Sequence, residues 1–258
     1  MGKKYELTDE TIIHDGRILH RIRAIRSFSD VKAGDLGGWI EKEDNLSQLG
    51  DAWVYDNAKV YGDAEVFCNA KVYDNAEVHG WAMVYGQAVV YDNAKVYNNA
   101  KVFGRAMVRN NAKVHSLATV YGQAEVYGRA NVHGDAEVCG QAEVYGQAEV
   151  CGQAEVYGQA EVYGQAEVCG QAEVYGASKI GEDAVVEGRA DYIIFKNFWS
   201  SGRFFTWTRS NNKWKVGCFH GTGEELIQKA YADSEISGRE YKRIVRYVES
   251  ILADEKKH

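Results

Sequence analysis

Alanine stands at every sixth position from Ala52 to Ala172. Ser178 interrupts the series once, and Ala184 and Ala190 resume it. Valine follows each alanine by two residues from Val54 to Val174, and Ile180 and Val186 continue that row. The unit A-x-V-x-x-x occupies 24 hexads between residues 52 and 190. Helical repeats run to tens of residues, so a period of six excludes them and points to a β-solenoid. In A-x-V both named side chains fall on one face of a short strand. Between strands come G-Q, D-N, G-D or N-N, residues that tolerate the positive φ of a corner. Three strands and three corners close an eighteen-residue triangular coil with Ala and Val inside. Coils stacked at ~4.8 Å make about eight turns, a prism roughly 38 Å long.

Composition narrows the class. Hydrophobic residues make up 45% of 258, too many for a disordered chain. No apolar run approaches the ~18 residues of a membrane span. The opening segment lacks an apolar signal core, so a cytoplasmic protein without membrane association is expected. The cysteines (Cys68, Cys139, Cys151, Cys169, Cys218) form no C-x-x-C pair, and free thiols are expected rather than a disulfide frame.

Charge is uneven. Residues 121–191 carry 3 Lys or Arg against 13 Asp or Glu, a net of −10, whereas residues 192–258 carry 12 against 8, a net of +4. So acidic an array argues against nucleic-acid binding by the repeat.

Residues eighteen apart stack in columns. The position after alanine gives Glu125, Glu143 and Glu161 on one face, Glu137, Glu155 and Glu173 on a second, and Glu149 and Glu167 on the third. Like charges ~4.8 Å apart repel by roughly 1 kcal/mol per pair even in water. These eight glutamates are the candidate surface for a basic partner. The position after valine gives two aromatic columns, through Tyr127 and Tyr145 and through Phe103 and Tyr121, whose stacked rings stabilise the sheet. The third such column reads Tyr61, His79, Tyr97, His115, His133, Cys151, Cys169. His115, His133 and Cys151 are its candidate ligands for a soft ion. Against that, a straight ladder offers collinear rather than tetrahedral donors.

The hexads "VYDNAK" (Val54–Lys59) and "VYGQAE" (Val144–Glu149) resemble the hexapeptide-repeat proteins. That resemblance covers about 140 residues and implies a left-handed parallel β-helix. "DVKAGDLGGWIE" (Asp30–Glu41) and "NLSQLGDAWV" (Asn45–Val54) resemble YdcK-type members and similar uncharacterised proteins of phages and prophages. The scaffold hosts acyltransferases, carbonic-anhydrase-like enzymes and structural proteins, so fold does not decide activity. A coenzyme A-dependent acyltransferase of this kind would use a histidine base and a loop excursion. Here no insertion breaks the register from Ala52 to Ala172, and His79, His115 and His133 show no acidic partner at a fixed spacing. No catalytic residue, cofactor or resident metal is therefore assigned.

The ends differ from the array. Residues 1–44 are expected to form a β cap, with a hairpin turning at Asp15-Gly16 and Trp39 lidding the core. Residues 45–191 form the repeat. Residues 192–258 are expected to be an α+β module: strands over "DYIIFKNF", "GRFFTWTRS" and "KWKVGCFH", joined by turns at "WSSG" and "SNNK". Two helices follow, opened by capping boxes at Thr222/Glu225 and Ser237/Glu240. Trp207, Arg209 and Trp214 are its candidate partner-binding residues. The expected function is that of a non-catalytic structural or binding solenoid of phage or prophage type, presenting a rigid acidic surface and a C-terminal module to a protein partner. It would self-associate as a trimer or dimer. The alternatives are the acyltransferase, and an inhibitor of a host defence or regulatory protein.

Overall fold

The structure is a computed structural model that describes residues 2–197 and 202–255. From Trp53–Val54 to Val185–Val186, successive two-residue strands enter three sheets in turn, each pairing in parallel with the strand eighteen residues on. The result is a parallel β-solenoid of about eight turns. The alanines of the six-residue row from Ala52 to Ala172, Ala184, and the valines two residues after each alanine, with Ile180, are buried in one continuous core, whereas Ala190 at the end of the row is exposed. Ser178, the single break in the alanine row, is also buried, and its hydroxyl donates to Tyr175 O at 2.7 Å.

The corner after each outward ring is left-handed. Gly146 shows why glycine dominates there. Its φ is 77°, and a Cβ would sit 2.9 Å from the Gly164 nitrogen in the next coil. Asp56, Asp74, Asp92 and Asn110 hold the same conformation earlier in the array. There Asp or Asn side chains accept from the backbone N–H of the next coil, as Asp92 does from Asn110 at 3.0 Å.

The N–H groups of the outward residues donate to carbonyls of the next coil, as in Glu125 N to Ala142 O at 2.9 Å, while the parallel register returns the N–H groups of the inward valines to the coil before. The first coil therefore leaves carbonyls with no donor from a coil before it, and the last leaves outward-residue N–H groups with no acceptor beyond it. Both ends are satisfied by groups of the matching sign. At the start, Lys4 Nζ donates to Ala52 O at 2.8 Å, and Asn45 Nδ2 donates to Ala64 O at 2.9 Å. At the far end, Thr206 Oγ1 accepts from Lys179 N at 3.0 Å and Ser210 Oγ from Val185 N at 2.7 Å.

The expected hairpin is present, Tyr5–His14 against Arg17–Ala24, with Asp15 and Gly16 at positive φ. It continues one solenoid sheet through Leu36–Ile40, which closes that sheet edge. Trp39 is not the lid. It aligns with the outward residue Lys59 and lies on the outside of the first coil, against Leu19 and Tyr61. The core is closed instead by Tyr5, Ile22, Phe28, Leu46 and Trp53.

Burial holds the Lys4 ammonium down to about 8. A cation disfavoured by folding makes the folded state bind fewer protons than the unfolded chain between pH 8 and the ordinary lysine value. Stability must then rise with pH across that window. Burial also pushes the Tyr5 and Tyr127 hydroxyls up, which reverses the trend above the usual tyrosine range. Chemical denaturation is expected to show the original chain gaining about 2 kcal/mol relative to Lys4→Met from pH 8 to 10, the tyrosine titrations shared by the two proteins cancelling in the comparison.

Among the described residues the C-terminal sheet has four antiparallel strands, not three: Tyr192–Lys196, Phe204–Thr208, Lys213–Val216 and Phe219–Gly221. The segment "KWKVGCFH" turns back on itself at Gly217, whose φ is 55°. Residues 198–201, with the "WSSG" turn, lie outside the described residues. Helix α1, Gly223–Asp233, opens with the expected Thr222/Glu225 capping box. Helix α2 spans Glu235–Glu255, starting earlier than expected, because Ser234 rather than Ser237 caps it, accepting from Ser237 N at 3.1 Å. Val245 and Val248 of α2 pack with Phe205, Trp207, Trp214 and Leu226 in a second core. Among the described residues, no helix is long and apolar enough to cross a membrane.

Candidate functional site

The glutamate columns stand as the period requires: Glu125 beside Glu143 beside Glu161, Glu137 beside Glu155 beside Glu173, and Glu149 beside Glu167. A diagonal contact, not foreseen from the sequence, tempers their repulsion. The residue after valine in one coil reaches the residue after alanine in the next, an offset of sixteen. Arg109 donates to Glu125 at 2.9 Å, Tyr121 to Glu137 at 3.2 Å, Tyr127 to Glu143 at 2.8 Å and Tyr145 to Glu161 at 3.2 Å. Burial, then the charge of Glu161, pushes the Tyr145 hydroxyl up to about 12, so it remains a donor. The signal was available: in A-E-V-Y the ring lies two residues past the glutamate, and eighteen minus two is sixteen.

The rule also shows where it fails. Cys139 and Cys151 occupy ring positions, so the glutamates sixteen residues on, Glu155 and Glu167, receive no side-chain donor among the described residues. Glu173 pairs instead with Arg189, and Lys179 adds to Glu161. Glu137, Glu155 and Glu173, with Gln153 and Gln171, line an open groove of about 800 Å³ along the prism. Cys139→Tyr should complete the ring column between Tyr121 and Tyr157 and give Glu155 its donor. We expect a gain of roughly 0.5–1.5 kcal/mol, read from the urea midpoint.

The histidine column forms as expected: Tyr61, His79, Tyr97, His115 and His133 stack face to face at 4.7–5.1 Å. His115 is occupied by Ser116 and Asn131, and burial, then the neighbouring His133, lowers its pKa. His133 does have an acidic partner, contrary to expectation: its Nε2 lies 2.6 Å from Glu149 Oε1, at the same offset of sixteen. The ligand atoms of His133, Glu149 and Cys151 lie within 4.8 Å of one another. Cys151 is not a free thiol, as expected, but forms a disulfide with Cys169, their Cα atoms 4.5 Å apart. The chain spacing hid this pair and the coil register creates it. Cys68, Cys139 and Cys218 are free.

In the C-terminal module, Trp207 and Trp214 are 1% and 2% exposed and form its core, so neither offers surface to a partner. Arg209 stacks on Trp207, donates to Ala190 O and pairs with Glu255. It joins the helix end to the last coil.

No protein-family model matches the chain. A curated relative, the "Uncharacterized acetyltransferase YdcK" of Escherichia coli (strain K12), is 39% identical over 79 residues, 27% of this chain and 24% of that protein. The chain thus spans about a quarter of the length of the curated relative it matches. The resemblance to YdcK-type proteins holds over that stretch.

Proposed function

We propose that the chain is a non-catalytic β-solenoid that presents a rigid acidic surface, together with its C-terminal module, to a basic protein partner. One observation carries this reading: three faces of one stack bear glutamate columns, and Glu155 and Glu167 in them have no compensating side-chain donor among the described residues. Pre-positioned like charges with no internal partner gain the most from an external cation. The unbroken register supports the absence of a catalytic pocket, because no loop interrupts the coils to build one. A partner that this surface restrains, such as a regulatory protein, fits the same chemistry. Affinity capture with the full chain should retain a basic protein at low ionic strength and release it as salt rises. Retention indifferent to salt would overturn the reading.

A second reading, coenzyme A-dependent acyl transfer, is favoured by the His133–Glu149 pair, since a carboxylate holding an imidazole is the arrangement of a general base. Titration with acetyl-coenzyme A tests it. Saturable binding lost in His133→Gln would support transfer, and no binding would remove it.

A further inference from the structure

We propose that, once the Cys151–Cys169 disulfide is reduced, the chain binds one soft divalent cation of the zinc class through His133, Glu149, Cys151 and Cys169. Among the described residues, His133, Glu149 and Cys151 are the one group of three or more metal-type side chains with ligand atoms so close together. Their positions follow from the register. Asn131 pairs with Glu149 and Glu149 with Glu167, so His133, Cys151 and Cys169 succeed one another at single-coil steps. The disulfide itself places the Cys169 sulfur beside that of Cys151. A straight column alone would offer donors in a line. Glu149 breaks that line, because it stands outward two residues before Cys151 and already touches His133. One nitrogen, one carboxylate oxygen and two thiolates form a tetrahedral donor set, with bonds of about 2.0–2.3 Å. All four are outward side chains, so rotation about side-chain bonds closes the site and the ladder stays fixed.

The chemistry makes binding conditional. In the disulfide neither sulfur is a thiolate, and only imidazole and carboxylate remain as ligands. A dithiol reductant supplies two electrons: the Cys151–Cys169 bond breaks, two thiols form, and the reductant closes to its own disulfide. The cation then displaces both thiol protons to solvent. It also takes the place of the proton between His133 Nε2 and Glu149, which moves to Nδ1. A second observation points the same way. Glu167, next to Glu149 in the column, has no side-chain donor among the described residues, because Cys151 replaces the ring that would supply one. A bound dication would compensate both carboxylates.

The test uses the full chain without an affinity tag, carrying Cys68→Ser, Cys139→Ser and Cys218→Ser so that the pair supplies every thiol. A water-soluble phosphine replaces the dithiol, which would compete for metal; with one water it becomes the phosphine oxide. Cobalt(II) is titrated into the reduced protein and then displaced with zinc. The expected result is a thiolate-to-cobalt charge-transfer band saturating at one equivalent, absent from the oxidised protein. Cys151→Ser and Cys169→Ser should each weaken the band and lower affinity at least tenfold. His133→Gln should keep the band and lower affinity about 10–100-fold. Circular dichroism should show all variants folded, because the altered side chains point outward. No band in the reduced protein, equal binding in both redox states, or unchanged binding by Cys151→Ser would each overturn the proposal.

Discussion

Deleting residues 121–138 leaves a folded protein one coil shorter, whereas deleting Gln147 alone disrupts the array. The longer deletion joins Val120 to Cys139, and the phrase A-x-V-x-G-Q-A continues unbroken across the junction. Every later coil keeps its face, and the end groups Lys4, Asn45, Thr206 and Ser210 still meet the carbonyls and N–H groups they satisfy. Solenoid stability is close to a sum over units and their neighbours, so the loss is one coil's share. Removing Gln147 shifts everything beyond it by one residue. A one-residue slip in a strand exchanges its two faces, which would turn Glu149, Glu155 and Glu161 inward and Val150, Val156 and Val162 outward. Thermal unfolding followed by circular dichroism should show one cooperative transition for the first variant. For the second it should show a broadened or missing one.

Val144→Asp is expected to cost about 4–5 kcal/mol or more. Val144 has no exposed surface and lies in its sheet between Val126 and Val162, so a carboxylate there would meet only methyl groups. Val144→Ala at the same site should cost about 1–2 kcal/mol, the transfer energy of two lost carbons plus a small cavity. Its neighbour Glu143 points outward, and Glu143→Ala removes only the Tyr127 hydrogen bond, worth about 1 kcal/mol. A urea series on the three variants should order them Val144→Asp, then the two milder changes.

The periodic part of the molecule was legible because one rule, six residues per side, sets burial, corners and columns together. The parts that needed the structure depend on relations across coils or on unrepeated residues. The disulfide and the His133–Glu149 contact lie at offsets of eighteen and sixteen, where a search for adjacent cysteines or nearby acids does not look. Trp39 was misplaced because it occupies an outward ladder position, and the cap hairpin rather than the solenoid core covers it. In the chain Trp207 and Trp214 sit among basic residues, a pattern that reads as a binding surface. Their strands are covered by α1 and α2, and the tryptophans are that module's core. The capping groups at the two ends come from unrepeated residues as well, since they depend on which backbone groups the first and last coils leave without a neighbouring coil.

The acidic display is the central claim, and charge removal tests it most directly. A variant with Glu143, Glu149, Glu155, Glu161 and Glu167 all changed to Gln keeps side-chain size and the coil register. It should fold, with equal or higher stability, because repulsion along the columns is relieved. Isothermal titration of a captured basic partner against this variant and the original chain, at two salt concentrations, should show affinity lost in the variant. The original chain's affinity should fall steeply with salt. Equal affinity for both proteins, unchanged by salt, would contradict the account.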